Sequence, residues 1–507
     1  MIEPLAVARR EDNEHDAAMR STAVALAVVA SILPLGILAH AGPTTVPADH
    51  TSRRVYSQAY PTWIYPTPSK RERPLGYIRQ GQSLARRDAQ VVPGLGCSHG
   101  FVAVHPVGYV CLDRTATLDG STRYLTQMKS LGPRPGPLPF HYALSNGAPM
   151  YRRLPTAVEW QHEERFLGPP GSHGKLSWGN RGHERLAEAR AIPPDAPVPD
   201  FLADGGSIRR AREDTLVRDQ IPFGSMVAYT RAFEHEGRTW LLSADGTVVP
   251  ADRTRPFRVT TFHGVELRGG LDLPLAWMRR EPRPQYVRHT DGSFAPNGRS
   301  WQARSFAPLD PKRGSRTHSG ITYLPTLERS RGLQLWVREQ DATLAERQER
   351  LPWGVGPRDK WIVVSITRGT LVAYEGQRPV FATLVSPGAG GVPMRGRDPV
   401  RMSTTPLGVF HVTFKHLAQT MSPDEGDERT FFIADVPHTQ YFRAPFALHT
   451  AYWHDDFGEP MSAGCVNLSP IDGRWLFAWT SPALPPGWGG VSAGALTGPG
   501  TTVVVRR

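Results

Sequence analysis

Cysteine is scarce in this chain. Its 507 residues hold three, Cys97, Cys111 and Cys465, too few for a disulfide-dense scaffold. His449, His454 and Cys465 match no standard zinc-ligand spacing, so no metal is expected. After residue 39 no second apolar run is long enough to cross a bilayer. No block of basic residues interleaved with aromatics occurs, which argues against a nucleic-acid partner. Long helical periodicities are also rare. The glycines at 388, 390, 391 and 396 are not followed by Gly-Lys-Ser/Thr, which excludes a phosphate loop and leaves them as the edge of a cleft or a lid.

What the chain has in abundance is glycine (49) and proline (48), with short apolar runs between turn residues. That pattern predicts a mainly β, loop-rich protein of two to four domains. The net charge of +12 suits a polyanionic partner, although the arginines are dispersed along the whole chain. Residues 1–20 are polar and include Arg9, Arg10 and Arg20; Ser21 to Ala39 is almost wholly small and apolar. Ala39-His40-Ala41 before Gly42 fits a cleavage site, so residues 1–41 are expected to be a signal peptide or a retained membrane anchor. Either places Gly42 onward outside the cytoplasm, in the periplasm or cell envelope. Cys97 and Cys111 flank a hairpin-like stretch and are the expected disulfide pair; the alternative is two buried free thiols. Cys465 is then left over, as a candidate reactive thiol.

Residues 42–54 read as a linker. Short strands at 62–65, 76–79, 101–104 and 109–112, separated by Pro and Gly, resemble a small SH3-like barrel over 55–115. Residues 116–220 are Pro-, Gly- and Arg-rich and are expected to be irregular. A second β-rich, SH3-like region follows over 221–340, with Ala244-Asp245-Gly246 as a hairpin turn. The last domain spans 356–507. Strands are expected at 361–366, 370–374 and 379–385, with Thr405-Pro406-Leu407-Gly408 leading into a fourth at 409–412, all as one antiparallel meander.

Cysteine chemistry needs a base and donors for a developing oxyanion. Phe446-Ala447-Leu448-His449-Thr450 ends a strand, and sixteen residues past His449 lies Ser462-Ala463-Gly464-Cys465-Val466-Asn467-Leu468. A small residue and a glycine before Cys465 let backbone N–H groups approach a substrate. Ser469-Pro470-Ile471-Asp472 then starts a helix, with Ser at the N-cap, Pro at N1 and an acid at N3. It is expected to run to Trp479 with Ile471, Trp475 and Trp479 on one face.

These residues resemble the catalytic domain of the L,D-transpeptidases, from Trp361 to Val505. The resemblance covers the opening hairpin, Thr405-Pro406-x-Gly408-x-Phe410, and the run from His449 through Trp453-His454 and Phe457-Gly458 to Ser462-x-Gly464-Cys465-Val466-Asn467. It implies a two-sheet β domain with a short helix after the cysteine loop, and no cofactor. It also implies Cys465 as nucleophile on the third residue of a peptidoglycan stem peptide, His449 as general base, and Thr450 as orienter of that imidazole. Ser462, Gly464 and Asn467 would shape the oxyanion turn. The family has histidine where this chain has Ala463, and His454 is a substitute or a surface residue. The acyl acceptor would be an amine of a second stem or of an envelope protein; water (a carboxypeptidase or amidase) and a non-catalytic wall-binding protein are the alternatives. Asp455-Asp456 and the acidic loop at 424–428 read as solvated charge.

Overall fold

The structure is a computed structural model that describes residues 53–169, 182–203, 215–422 and 431–507. The expected leader or anchor (1–41), most of the linker and the acidic loop at 424–428 lie outside the described residues. Among those described, no helix is long and apolar enough to cross a membrane.

In chain order the C-terminal region carries β1 (Lys360–Ser365), β2 (Thr370–Glu375), β3 (Arg378–Leu384), β4 (Gly408–His411) and β5 (Phe414–Met421). Then come β6 (Ile433–Arg443), β7 (Phe446–Thr450), β8 (Val466–Leu468), α1 (Pro470–Trp479), β9 (Gly490–Ser492) and β10 (Thr502–Arg506). β1, β2 and β3 are the consecutive antiparallel hairpins that their turns predict. The second turn needs glycine: Gly376 has φ 57°, and a Cβ there would stand 2.0 Å from the Pro357 carbonyl. β4 is not the next strand of this meander. It pairs with β10, which runs parallel to β1, so the order is β3-β2-β1-β10-β4, with Val265–Glu266 added beyond β3.

Both faces of this sheet are covered. Ile362, Val364, Leu371 and Val503 pack against Leu448, Val466 and Leu476 of the second sheet and α1. Trp361, Val363, Val372 and Tyr374 meet Leu275, Trp277 and Phe457 on the other side. A strand buried on both faces has no polar face to show, which is why Trp361-Ile362-Val363-Val364 reads as an unbroken apolar run.

The second sheet brings the site residues together. β5 pairs with β6, β6 with β7, and β8 joins β7 in parallel. Upstream chain extends it at both ends. β9 links β5 to Gly76–Ile78, and Ile433 of β6 pairs with Met226. Among the described residues this makes one 16-stranded sheet.

The upstream regions divide differently from their expected boundaries. Strands at Arg54–Ser57, Ser83–Ala85 and Ala116–Thr117 form a small sheet that shares a core with the 62–111 strands. Cys97 and Cys111 are joined by a disulfide, with Cα atoms 5.8 Å apart. Residues 116–220 are not wholly irregular. Helices at Arg123–Lys129 and Ala157–Glu163 are capped by Thr122 and by a Thr156/Glu159 capping box. His141–Ser145 pairs with Met226–His235, and Pro149–Tyr151 with Val217–Gln220. These strands were hidden because they are three to five residues long and their partners lie far along the chain. Residues 221–340 split in turn. Arg238–Ser243 and Val248–Pro250 form the hairpin around Asp245 within the large sheet. Leu275–Met278 belongs to a three-stranded sheet and Arg283–Arg288 to a five-stranded one.

Candidate active site

The cysteine loop is built by its own turn chemistry. Ser462 Oγ accepts from the Gly464 N–H at 3.1 Å and donates to the Cys465 carbonyl. Gly464 has φ 125°, and a Cβ there would lie 2.6 Å from the Phe446 ring. No other residue fits that position without displacing β7. The glycine stretch after β3 closes the other side: Ser462 N–H donates to the Pro387 carbonyl at 3.1 Å, and Ala389 N–H to the Ser462 carbonyl at 2.6 Å. Gly388 packs on the Ser403–Thr404 backbone, and its N–H donates to Thr405 Oγ1 at 2.9 Å.

Cys465 is only 6% exposed. Burial pushes its thiol up to about 12, offset in part by a hydrogen bond with the Ala447 backbone. Sγ also lies 3.8 Å from the Pro445 carbonyl. His449 faces the same region, because parallel pairing sets it beside Asn467. It is 3% exposed, stacked on Trp453 at 5.8 Å, and burial lowers it to about 4. Its Nδ1 donates to the Thr450 carbonyl at 3.2 Å, which fixes the tautomer and leaves Nε2 as a free base. Thr450 thus meets the imidazole through its main chain; its hydroxyl is 3.2 Å from Nδ1 of His438. Thiol and imidazole are both neutral at rest, and no hydrogen bond joins them.

His454 is buried rather than on the surface. Asp456 N–H donates to its Nδ1 at 3.2 Å, and the Asn467 side-chain amide lies 2.9 Å from its Nε2. Burial lowers this ring to about 3, so it is neutral, and with Nδ1 accepting, its one proton is on Nε2. The consistent Asn467 orientation therefore presents Oδ1 to that N–H. The amide NH2 then takes the position of the buried oxygen that has no protein partner. Ala463 is half-buried in the loop and makes no polar side-chain contact.

The adjoining acids are not solvated charges. Asp455 is paired with Arg258 (3.3 Å) and Arg304 (2.9 Å), and Asp456 with Arg185 (3.0 Å) and Arg280 (3.2 Å). All four arginines come from outside 356–507, and no local pattern signals them. His438 was missed as well, because only the pairing of β6 with β7 brings it to Thr450.

α1 begins as its sequence predicts: Asp472 N–H donates to Ser469 Oγ at 3.2 Å, and the helix stops at Trp479. Its buried face differs. Ile471 is 41% exposed, while Asp472, Gly473, Leu476 and Phe477 face inward and Trp475 stacks on Phe381. Asp472 explains the rotation, because its carboxylate accepts from Gly264 N–H (2.8 Å) and Thr383 Oγ1 (2.6 Å).

Residues 359–505 match the family model of the YkuD L,D-transpeptidase catalytic domain. This stretch is a YkuD-type L,D-transpeptidase domain. It contains the first three strands of the first sheet, the site-bearing strands of the second, the Cys465 loop and α1. No curated protein matches the chain. Similar solved structures include an L,D-transpeptidase from Xylanimonas cellulosilytica, at 25% identity over 31% of this chain and 65% of that one, TM-score 0.21. Others are an Enterococcus faecium L,D-transpeptidase mutant (19%; 29% and 50%; TM-score 0.21) and an L,D-transpeptidase from Stackebrandtia nassauensis (23%; 32% and 58%; TM-score 0.20). The chain spans about half to two thirds of the length of these three. The arginines on Asp455 and Asp456 lie outside the matched residues.

Proposed function

We propose that this protein is an exported peptidoglycan L,D-transpeptidase with Cys465 as nucleophile and His449 as general base. One observation carries the reading: a cysteine held on a glycine turn directly precedes the strand that pairs in parallel with the strand of a buried histidine, whose Nδ1–H is committed to the Thr450 carbonyl. As Sγ attacks the stem-peptide carbonyl, its proton passes to Nε2 of His449. The Gly464 N–H is taken by Ser462, so the oxyanion donors are the Cys465 N–H and the Asn467 NH2, neither of which has a protein acceptor among the described residues. Collapse breaks the C–N bond to the terminal residue, and the imidazolium returns its proton to the leaving amine. An amine of a second stem or of an envelope protein then takes the acyl group from sulfur. His454 supports Asn467 through its Nε2–H, supplying a positioning contact in a chain that has Ala463.

The test is intact mass spectrometry after exposure to a carbapenem, an acyl-donor mimic. A single adduct that maps to Cys465 and is absent from Cys465→Ala supports the reading. A folded protein with free Cys465 and no adduct overturns it.

A further inference from the structure

A cleft of about 440 Å³ has walls that come mostly from the segment upstream of the YkuD match. Arg258, Thr260, Phe262, Trp277, Arg304 and Asp455 line it. Successive ring contacts connect it to the candidate active site. Phe262 stacks on Phe457 at 5.4 Å, and Phe457 lies 5.0 Å from the His454 ring that meets Asn467.

The cleft holds more cationic donors than its own acceptors satisfy. Arg258 and Arg304 share the single carboxylate of Asp455, which also accepts from the Thr260 hydroxyl at 2.5 Å. Each guanidinium has five N–H donors, and neither side chain has another acceptor among the described residues. The surplus extends along the loop. Arg185 and Arg280 share Asp456, and Arg279 takes Glu459, so five guanidiniums face three carboxylates. Arg304 is held at φ 58°, a left-handed conformation that a non-glycine residue adopts at a cost and that collects at binding sites. Arg258 keeps its side chain 57% exposed at the mouth.

A planar fork of donors beside aromatic walls suits a carboxylate on a peptide. One net positive charge in the cleft matches a monoanion, and Asp455 would repel a dianionic phosphate. We propose that this cleft binds a free carboxylate of the peptide whose acyl group Cys465 accepts. The proposal rests on the transpeptidase reading above and makes the upstream segment part of substrate selection. Amidation of that carboxylate would leave the surplus guanidinium without its counter-charge and weaken binding.

The experiment compares a donor tetrapeptide bearing free carboxylates with the same peptide amidated at the carboxylates remote from the scissile bond. Release of the terminal residue is followed with full-length protein, Arg258→Gln and Arg304→Gln. The expected result is a KM for the acid peptide about ten- to a hundredfold below that of the amide in the unaltered protein. That preference should collapse towards one in each variant, with kcat changed less than KM, and Arg258→Lys should restore part of it. Equal KM values for acid and amide, or a preference unchanged in Arg258→Gln, overturns the carboxylate site. Competition by inorganic phosphate that is stronger than by acetate overturns the choice of a monoanion. A carbapenem adduct at Cys465 without turnover of either peptide also overturns the cleft proposal while leaving the nucleophile in place. Loss of the adduct removes both.

Discussion

At the scale of single residues, the site is organised around two neutral groups. Burial raises Cys465 and lowers His449, so a resting thiolate–imidazolium pair is disfavoured on both sides. In the proposed mechanism the proton moves only as sulfur attacks, and the base must be unprotonated for that to happen. With His449 near 4, the base is competent over nearly the whole ordinary pH range, unlike an unperturbed histidine near about 6.5. The rate of Cys465 acylation by a carbapenem should therefore rise as pH climbs through about 4 and then stay flat to about pH 9. Stopped-flow rates across that range test this; an acid limb centred above about 6 would show that His449 is not the buried neutral base described here.

At the scale of elements, α1 fixes the cysteine loop because both its ends are tied to other parts of the chain. Lys415 Nζ donates to the Phe477 carbonyl (2.6 Å) and the Thr480 carbonyl (3.0 Å) at the C-terminus. Asp472 ties the N-terminal turn to Gly264 and Thr383, and burial raises its carboxyl to about 6. That folded value lies above the unfolded one of about 3.9, so the folded chain holds this proton more tightly. The contribution is fully present below about pH 4 and is lost as pH rises towards 6. Thermal melting at closely spaced pH values should show this fall, and Asp472→Asn should flatten it. Asp472→Ala should cost roughly 1–3 kcal/mol, because it leaves the Gly264 N–H and the Thr383 hydroxyl unpaired. The start of this helix was legible in Ser469-Pro470-Ile471-Asp472 because capping is local. Its buried face was not, since the partners of Asp472 lie 89 and 208 residues away. The same division holds at the site. Cys465, His449 and the Gly464 turn are marked by their neighbours in sequence, whereas the arginines on Asp455 and Asp456 are joined to the loop only by the fold. β4 was misplaced for a related reason: its partner β10 is the last strand of the chain.

At the scale of the whole molecule, the matched domain is not a closed unit. Trp488 is 2% exposed, but the residues around it are Val55, Ile64, Leu84 and Val110 of the N-terminal module. Its Nε1–H donates to the His105 carbonyl at 3.2 Å, and Gly490 pairs with Tyr77 beside it. Gly76 packs so closely on this strand that a Cβ would stand 2.2 Å from the Gly490 carbonyl. A fragment of residues 356–507 would expose Trp488 and Val491 together with the free edge of β9, an apolar surface next to unpaired backbone. It should aggregate or melt well below a fragment of residues 53–507. Within the longer fragment, Trp488→Ala should cost about 3–5 kcal/mol, with acylation at Cys465 lost in the same thermal transition that unfolds the N-terminal module. Differential scanning calorimetry, run beside acylation at each temperature, decides the point. Two separate transitions, with Cys465 still reactive after the first, would mean that the shared sheet does not couple the modules.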